Sequence, residues 1–299
     1  MELRVLRYFI QVAREQNITA AAERLHVTQP TLSKQLMDLE DELGKKLFVR
    51  GKRRTTLTND GMFLYRRAQE IVDLADKTES AFRSTDDAVA GDISVGCGET
   101  DGMRIVIAAM KRLRAQCPDV HFHLYSGNDE DVSYRLDNGL VDFGLFVGST
   151  GLEKYDYLKL PVSDTWGLLM RSDCPLAQNP TVKPHDLPRV PILCSRQAVH
   201  SNELSGWLGS DFSKLNIVST HNLINNAALM VKAGMGCSLA IANLLNTAGT
   251  DLTFRPLEPT LKADLTFAWK KYQVFSKAAE KFLAALYEEV RGEARDTDI

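Results

Sequence analysis

Gln29, Thr31, Ser33, Lys34 and Gln35 stand close together in "QPTLSKQ", a set of amides, hydroxyls and one cation that suits the edges of nucleic-acid bases. A glutamine amide can pair bidentately with adenine, and a lysine can meet guanine or phosphate. The same polar face would also serve any solvated surface helix, so the neighbouring residues must decide. They include a second chemical group: Lys45, Lys46, Arg50, Lys52, Arg53 and Arg54 crowd the acid-free stretch "GKKLFVRGKRRTTLT", where Leu47, Phe48 and Val49 can anchor it inward and Gly51 can turn it. Such a stretch reads as a β-ribbon wing that carries phosphate contacts.

A third group is dispersed among polar loops: "GETD" (Glu99 to Asp101), "SGND" (Ser126 to Asp129), "CSRQAVHSN" (Cys194 to Asn202) and "STHN" (Ser219 to Asn222). Thr100, Asn128, Ser195, Arg196, His200 and Asn222 are the candidates there for holding a small molecule. Arg196 could clamp a carboxylate through two parallel hydrogen bonds. Glu99 and Asp101 favour the opposite ligand charge, which therefore stays open. Catalysis has no visible constellation: GxSxG, HExxH, P-loop and GxGxxG patterns are missing, and the six histidines lack ligand spacing. We expect no catalytic residue, no metal and no cofactor. The five cysteines, an odd set without CxxC, signal neither a zinc site nor a disulfide framework. Cys194 beside Arg196 leaves redox sensing as an alternative, since a nearby cation lowers a thiol pKa.

Positioning the first group requires two short helices meeting at a corner. In "NITAAAERLHV" the apolar residues Ile18, Ala21, Ala22 and Leu25 recur at helical spacing, as do Leu32, Leu36 and Leu39 in "QPTLSKQLMDLE". Thr28 can cap the second helix, with Pro30 just inside it, where a missing N–H costs nothing. A helix-turn-helix with its second helix in the DNA major groove follows. Charge agrees: residues 1–58 hold eleven Lys/Arg against seven Asp/Glu, while the remainder holds 25 against 32. A basic head precedes an acidic body.

From Thr58 to about residue 90 no proline interrupts a helical pattern, and Leu64, Ala68, Ile71, Ala75, Thr78 and Phe82 follow a 4-3-4-3-4 spacing. This predicts a seam along a partner helix. A homodimer through residues 59–90 would present two reading helices to an interrupted palindrome in double-stranded DNA.

Beyond residue 90, short apolar runs alternate with helical patterns near 103–116, 129–138, 202–209, 223–233 and 277–290, which predicts β/α lobes with a mostly parallel sheet. The domains expected are 1–58 (winged helix-turn-helix), 59–90 (linker and dimerisation helix) and 91–299 (effector domain). In the last, subdomain I spans about 91–161 and 265–299, and subdomain II about 162–264. In such sheets ligands gather where strands end and helices begin. No apolar run approaches a membrane span, and charges interrupt the first thirty residues where a secretory signal needs an apolar core. A cytoplasmic protein is expected, and a free, exported solute-binding protein is disfavoured.

The stretch "LRYFIQVAREQNITAAAERLHVTQPTLSKQLMDLEDELGKKLFVRGKRRTTLTNDG" resembles the N-terminal signature of the LysR-type transcriptional regulators, and "CPDVHFHLYSGN", "LDNGLVDFGLFVG" and "LMVKAGMGCSLAIA" are similar to that family's effector domain. The resemblance implies an α/β protein with an N-terminal winged helix-turn-helix, a linker-helix dimer and a periplasmic-binding-protein-like sensor of two subdomains, usually assembled as a homotetramer. It also implies DNA contacts from Gln29, Pro30, Thr31, Ser33 and Lys34 on the recognition helix and from Arg50, Arg53 and Arg54 on the wing. Thr100, Asn128, Ser195 and Asn222 fall where such proteins hold their effectors. The loop "CGETDG" departs from the family by placing two acids where many members have small hydroxyl residues.

Overall fold

The computed structural model describes every residue except 52, 53, 84–88, 149–151, 200, 201, 210–213, 298 and 299; for 50, 80–83, 199, 202, 203 and 294–297 it describes the backbone alone. The chain forms two compact units, Met1–Arg83 and Ser84–Ile299.

In the first unit, helix α1 (Leu3–Glu15) packs Leu6, Phe9 and Val12 into a core with Ala21 and Ala22 of α2 (Ile18–Arg24) and Leu32, Leu36 and Leu39 of α3 (Gln29–Leu43). Asn17 caps α2 by accepting from the N–H groups of Thr19 and Ala20. The corner comes next: Val27 N–H donates to the Ala22 carbonyl at 3.0 Å while His26 adopts a left-handed φ of 54°. Thr28 then caps α3, its hydroxyl accepting from Thr31 N–H at 3.4 Å, with Pro30 in the first turn. Strands β1 (Phe48–Arg50) and β2 (Thr55–Leu57) pair antiparallel, with Phe48 opposite Leu57. The ring of Phe48 lies 5.1 Å from that of Phe9, which pins the ribbon to α1.

Helix α4 (Asn59–Arg83) begins at Thr58, whose hydroxyl accepts from Gly61 N–H at 2.9 Å and donates to the Lys46 carbonyl at 2.6 Å. Gly61, in the first turn of this helix, has a steric reason: a Cβ there would lie 2.1 Å from the Leu47 carbonyl oxygen. The predicted seam is corrected here. Leu64 and Ala68 are buried in their own unit's core together with Val72, whereas Ile71 is exposed. A 4-4 ridge therefore packs inward, as helices commonly pack in globular cores. Among the described residues the helix runs to Arg83, and Phe82 lies outside the described side chains.

The second unit is built on a nine-stranded sheet in the order β4-β3-β5-β11-β6-β9-β7-β8, with β10 beside β6. One lobe contains β3 (Gly91–Cys97), α5 (Met103–Gln116), β4 (Val120–Ser126), α6 (Asp129–Asp137) and β5 (Phe143–Val147), to which α10 (Lys277–Thr297) adds its apolar face. The other contains β7 (Ile192–Ser195), α7 (Arg196–Val199), α8 (Asn202–Leu208), β8 (Ile217–His221), α9 (Ile224–Lys232), β9 (Cys237–Ile241) and β10 (Leu252–Pro256). Two long strands run through both: β6 (Tyr155–Arg171) and β11 (Lys262–Lys270), antiparallel, with Tyr155 opposite Lys270 and Thr165 opposite Lys262. The expected crossing near residue 162 is thus the middle of one continuous strand.

Within each lobe the outer strands are parallel, β3 with β4 and β5, β7 with β8 and β9. The crossing strands pair antiparallel with their neighbours. The sheet is therefore mixed where the sequence predicts a mostly parallel one, because the return from lobe two to lobe one reverses direction. Each lobe has its own core. Ile93, Val95, Phe143 and Phe267 meet α5 and α10 in the first; Leu168, Met170, Cys194 and Leu239 lie on one face of the second, with Leu169, Leu193 and α9 on the other.

Candidate functional sites

The outer surface of α3 is set by its inner one. With Leu32, Leu36 and Leu39 held inward, Gln29, Pro30, Thr31 and Lys34 are exposed and Ser33 is half-buried. The Thr31 hydroxyl lies 2.8 Å from that of Thr28. Exposed polar residues along the first two turns, following a short corner, are what a major-groove reading helix requires.

The wing is fastened to this helix by a buried carboxylate. Glu40, 3% exposed, accepts from the backbone N–H groups of Leu47 at 2.8 Å and Phe48 at 3.2 Å through Oε1, and meets Lys46 at 3.2 Å through Oε2. Burial pushes its pKa up, but these hydrogen bonds outweigh that and hold it below the ordinary carboxylate value. The ribbon turns between Gly51 and Arg54, where Gly51 N–H donates to the Arg54 carbonyl at 2.9 Å, and Arg54 is exposed. Arg53, and the side chain of Arg50, lie outside the described residues. Glu40 was not among the candidates read from the sequence; an acid on the inner face of a reading helix was the one clue.

In the second unit the parallel strands of both lobes end facing one cavity. Cys97 lies opposite Ser126 and Leu145, and Ser195 opposite His221. The cavity is partly open to solvent, and its empty space, that opening included, is about 550 Å³. Asn128, Ser195 and Asn222 line it, together with Glu99, Gln197, Trp166, His221 and apolar residues of β9. Asn128 Oδ1 caps α6 by accepting from Asp131 N–H at 2.8 Å, leaving its NH₂ group. Ser195 Oγ accepts from Ala198 N–H at 3.0 Å, leaving its O–H. Burial lowers the His221 pKa and keeps the ring neutral at neutral pH.

Two hydrogen-bonded links cross the cavity between lobes. Glu99 accepts from Ile224 N–H at 2.6 Å, and Gln197 donates to Asp129 at 2.6 Å and to the Val147 carbonyl at 3.0 Å.

Several expected ligand contacts are placed elsewhere. Thr100 is 7% exposed and turns its hydroxyl away from the cavity, toward Gly102 N–H at 3.0 Å and toward Asp164. Arg196 opens α7 exposed to solvent, between two lining residues, where its charge stays hydrated. His200 lies outside the described residues. Trp166, Gln197, His221 and Ile224 were not among the candidates, although Gln197 and His221 lie in two of the polar loops that supplied them.

The redox alternative meets a physical obstacle. Cys194 is fully buried and burial pushes its thiol up to about 11, opposite to what a reactive cysteine needs. The exposed Arg196 does not offset this. Cys174 and Cys237 approach to 3.9 Å, but Cys237 is pushed up to about 12 by burial and by its neighbour. Among the described residues no group of three or more His, Cys, Asp or Glu could hold a metal ion, and no helix is long and apolar enough to cross a membrane.

A winged helix-turn-helix followed by a two-lobed α/β unit is the build of a helix-turn-helix transcriptional regulator. Residues 3–62 match the family described as bacterial regulatory helix-turn-helix protein, lysR family, and residues 86–291 match the LysR substrate binding domain. The chain is 30% identical over 295 residues to the Hca operon transcriptional activator HcaR of Escherichia coli (strain K12), covering 96% of this chain and 98% of that protein. It is 29% identical to the HTH-type transcriptional regulator BsdA of Bacillus subtilis (strain 168) over 80% of this chain and 83% of that protein. Full-length CbnR complexed with its target DNA has the same fold, at a TM-score of 0.71 and 22% identity, covering 98% of this chain and 99% of that one. The chain belongs to the LysR family of DNA-binding transcriptional regulators.

Proposed function

We propose that this regulator senses a small molecule in the cavity between the two lobes of its second unit and alters promoter binding in response. The convergence of both lobes' strand ends on one cavity, with β6 and β11 as the strands that run through both lobes, carries this reading. A ligand there would replace or strengthen the Glu99–Ile224 and Gln197–Asp129 links, and so bias the lobes between two arrangements. Asn128, Ser195, Gln197, His221 and Asn222 are the contacts we assign to the effector.

On the DNA side we assign base and backbone contacts to Gln29, Pro30, Thr31, Ser33 and Lys34 and phosphate contacts to Arg50, Arg53 and Arg54, on an interrupted palindrome read by a homodimer. Pairing through residues 59–90 is supported by the apolar side chains that α4 leaves exposed, Phe63 at 68% and Leu74 at 44% among them. Assembly of dimers into a homotetramer follows the family resemblance. No enzymatic step enters this reading.

A thermal-shift screen of metabolites against the full chain tests it, because a ligand that binds the folded state raises its melting temperature. The expected result is a ligand whose stabilisation is lost in Asn128→Ala and Ser195→Ala and which changes the footprint on promoter DNA. A stabilising ligand indifferent to both substitutions would refute the site.

A further inference from the structure

The charge of the cavity wall is lopsided. Among the described residues, Glu99 is the charged side chain in its lining, no Lys or Arg lines it, and Arg196 is exposed to solvent. Glu99 also occupies the position at which a helix start would otherwise attract an anionic ligand: its carboxylate accepts from the N–H of Ile224, the first residue of α9. A carboxylate entering this space would meet a like charge with no lining cation beside it.

Two further polar atoms restrict the ligand. Trp166 Nε1 and His221 Nδ1 are buried, belong to lining residues and have no partner among the described residues. An indole N–H can only donate, so it requires an acceptor. Asn128, Ser195, Gln197 and Asn222 add uncharged polar groups to the wall, and Leu239, Ile241 and Leu244 supply an apolar side of the same space.

Resting on the reading of this cavity as the effector site, we propose that it takes a nitrogen-bearing ligand, an amide or amine that donates N–H to Glu99 from a small apolar body, and that it rejects carboxylates. An amide satisfies both sides of the wall, its N–H group toward Glu99 and its carbonyl toward Trp166 or His221. A carboxylate offers acceptors alone and leaves Glu99 facing a second negative charge.

Benzamide, benzylamine and benzoate share a ring and differ at the polar end, so they serve as probes, measured by calorimetry on the full chain at neutral pH. Benzamide or benzylamine should bind at least tenfold more tightly than benzoate. Glu99→Gln, which keeps an acceptor for Ile224 N–H, should shrink that gap severalfold. Trp166→Phe should weaken benzamide more than benzylamine, and gives a second readout if Glu99→Gln fails to fold. Benzoate binding as tightly as the other two, or a gap unchanged in Glu99→Gln, would overturn the proposal while leaving the cavity as an effector site. Failure of all three probes to bind both the wild type and Glu99→Gln, with no metabolite stabilising the chain through Asn128 or Ser195, would overturn the effector site itself.

Discussion

Replacing Glu40 should loosen the wing from the reading helix by an amount that the geometry sets. One buried oxygen accepts from two backbone N–H groups, Leu47 and Phe48, in a region where neither can reach water. Removing the acceptor leaves both donors unsatisfied, at about 1–3 kcal/mol each. The contact to Lys46 adds little, since that lysine is exposed and such pairs contribute at most about 1 kcal/mol. Glu40→Ala should therefore cost about 3 kcal/mol, a large share of a typical stability of roughly 5–15 kcal/mol. Glu40→Gln keeps an acceptor without its charge and should cost about 1 kcal/mol, since charged acceptors strengthen such bonds. The sign with pH follows from the depressed pKa: the advantage over Glu40→Gln is present above the unfolded carboxylate value, about 4.3, and is lost as pH falls through the lower folded value. All three tryptophans, Trp166, Trp207 and Trp269, belong to the second unit, so indole fluorescence is a poor reporter. Hydrogen exchange at the Leu47 and Phe48 amides reads the effect directly. Unchanged protection of both amides in Glu40→Ala, with stability within 0.5 kcal/mol or so of wild type, would refute the reasoning.

Gln29→Ala should cost about 1–3 kcal/mol on a specific site and less on random duplex, as measured by fluorescence anisotropy; equal loss on both would reassign the residue to the backbone. Gly61→Ala should destabilise the first unit by about 1–3 kcal/mol through overpacking against the Leu47 carbonyl, although alanine ordinarily favours a helix interior; a raised melting temperature by circular dichroism would contradict this. His221, held neutral by burial, should make the second unit lose stability as pH falls below about 6.5, at up to about 1.4 kcal/mol per pH unit until its lower folded pKa is reached. The tryptophan-monitored denaturant midpoint of His221→Asn should vary less over that window, and parallel profiles would remove His221 from this role.

The helix-turn-helix was legible because Leu32, Leu36 and Leu39 share one face and Thr28 and Pro30 mark where it starts. The use of α4 was less so. Leu64 and Ala68 satisfy both a heptad and an i+4 ridge, and the choice between Ile71 and Val72 as the next inward residue depends on what the helix packs against. Strand ends are visible as polar loops after apolar runs, which brought Asn128, Ser195 and Asn222 to the cavity. Whether a loop residue then faces in or out turns on one or two dihedrals, and this sends Thr100 toward Asp164 and Arg196 into solvent. Trp166, Leu239 and Ile241 could not be assigned beforehand, because strands covered on both faces lose the alternation that reveals an inward side.

Selection of duplexes from a random pool by the purified full chain, followed by affinity measurements at fixed salt, tests the central claim most directly. The fixed salt matters because the phosphate contribution alone shifts affinity steeply with ionic strength. The account predicts enrichment of two similar half-sites with an interrupted centre, bound at least about a thousandfold more tightly than scrambled duplex. Equal affinity for selected and scrambled sequences would contradict it.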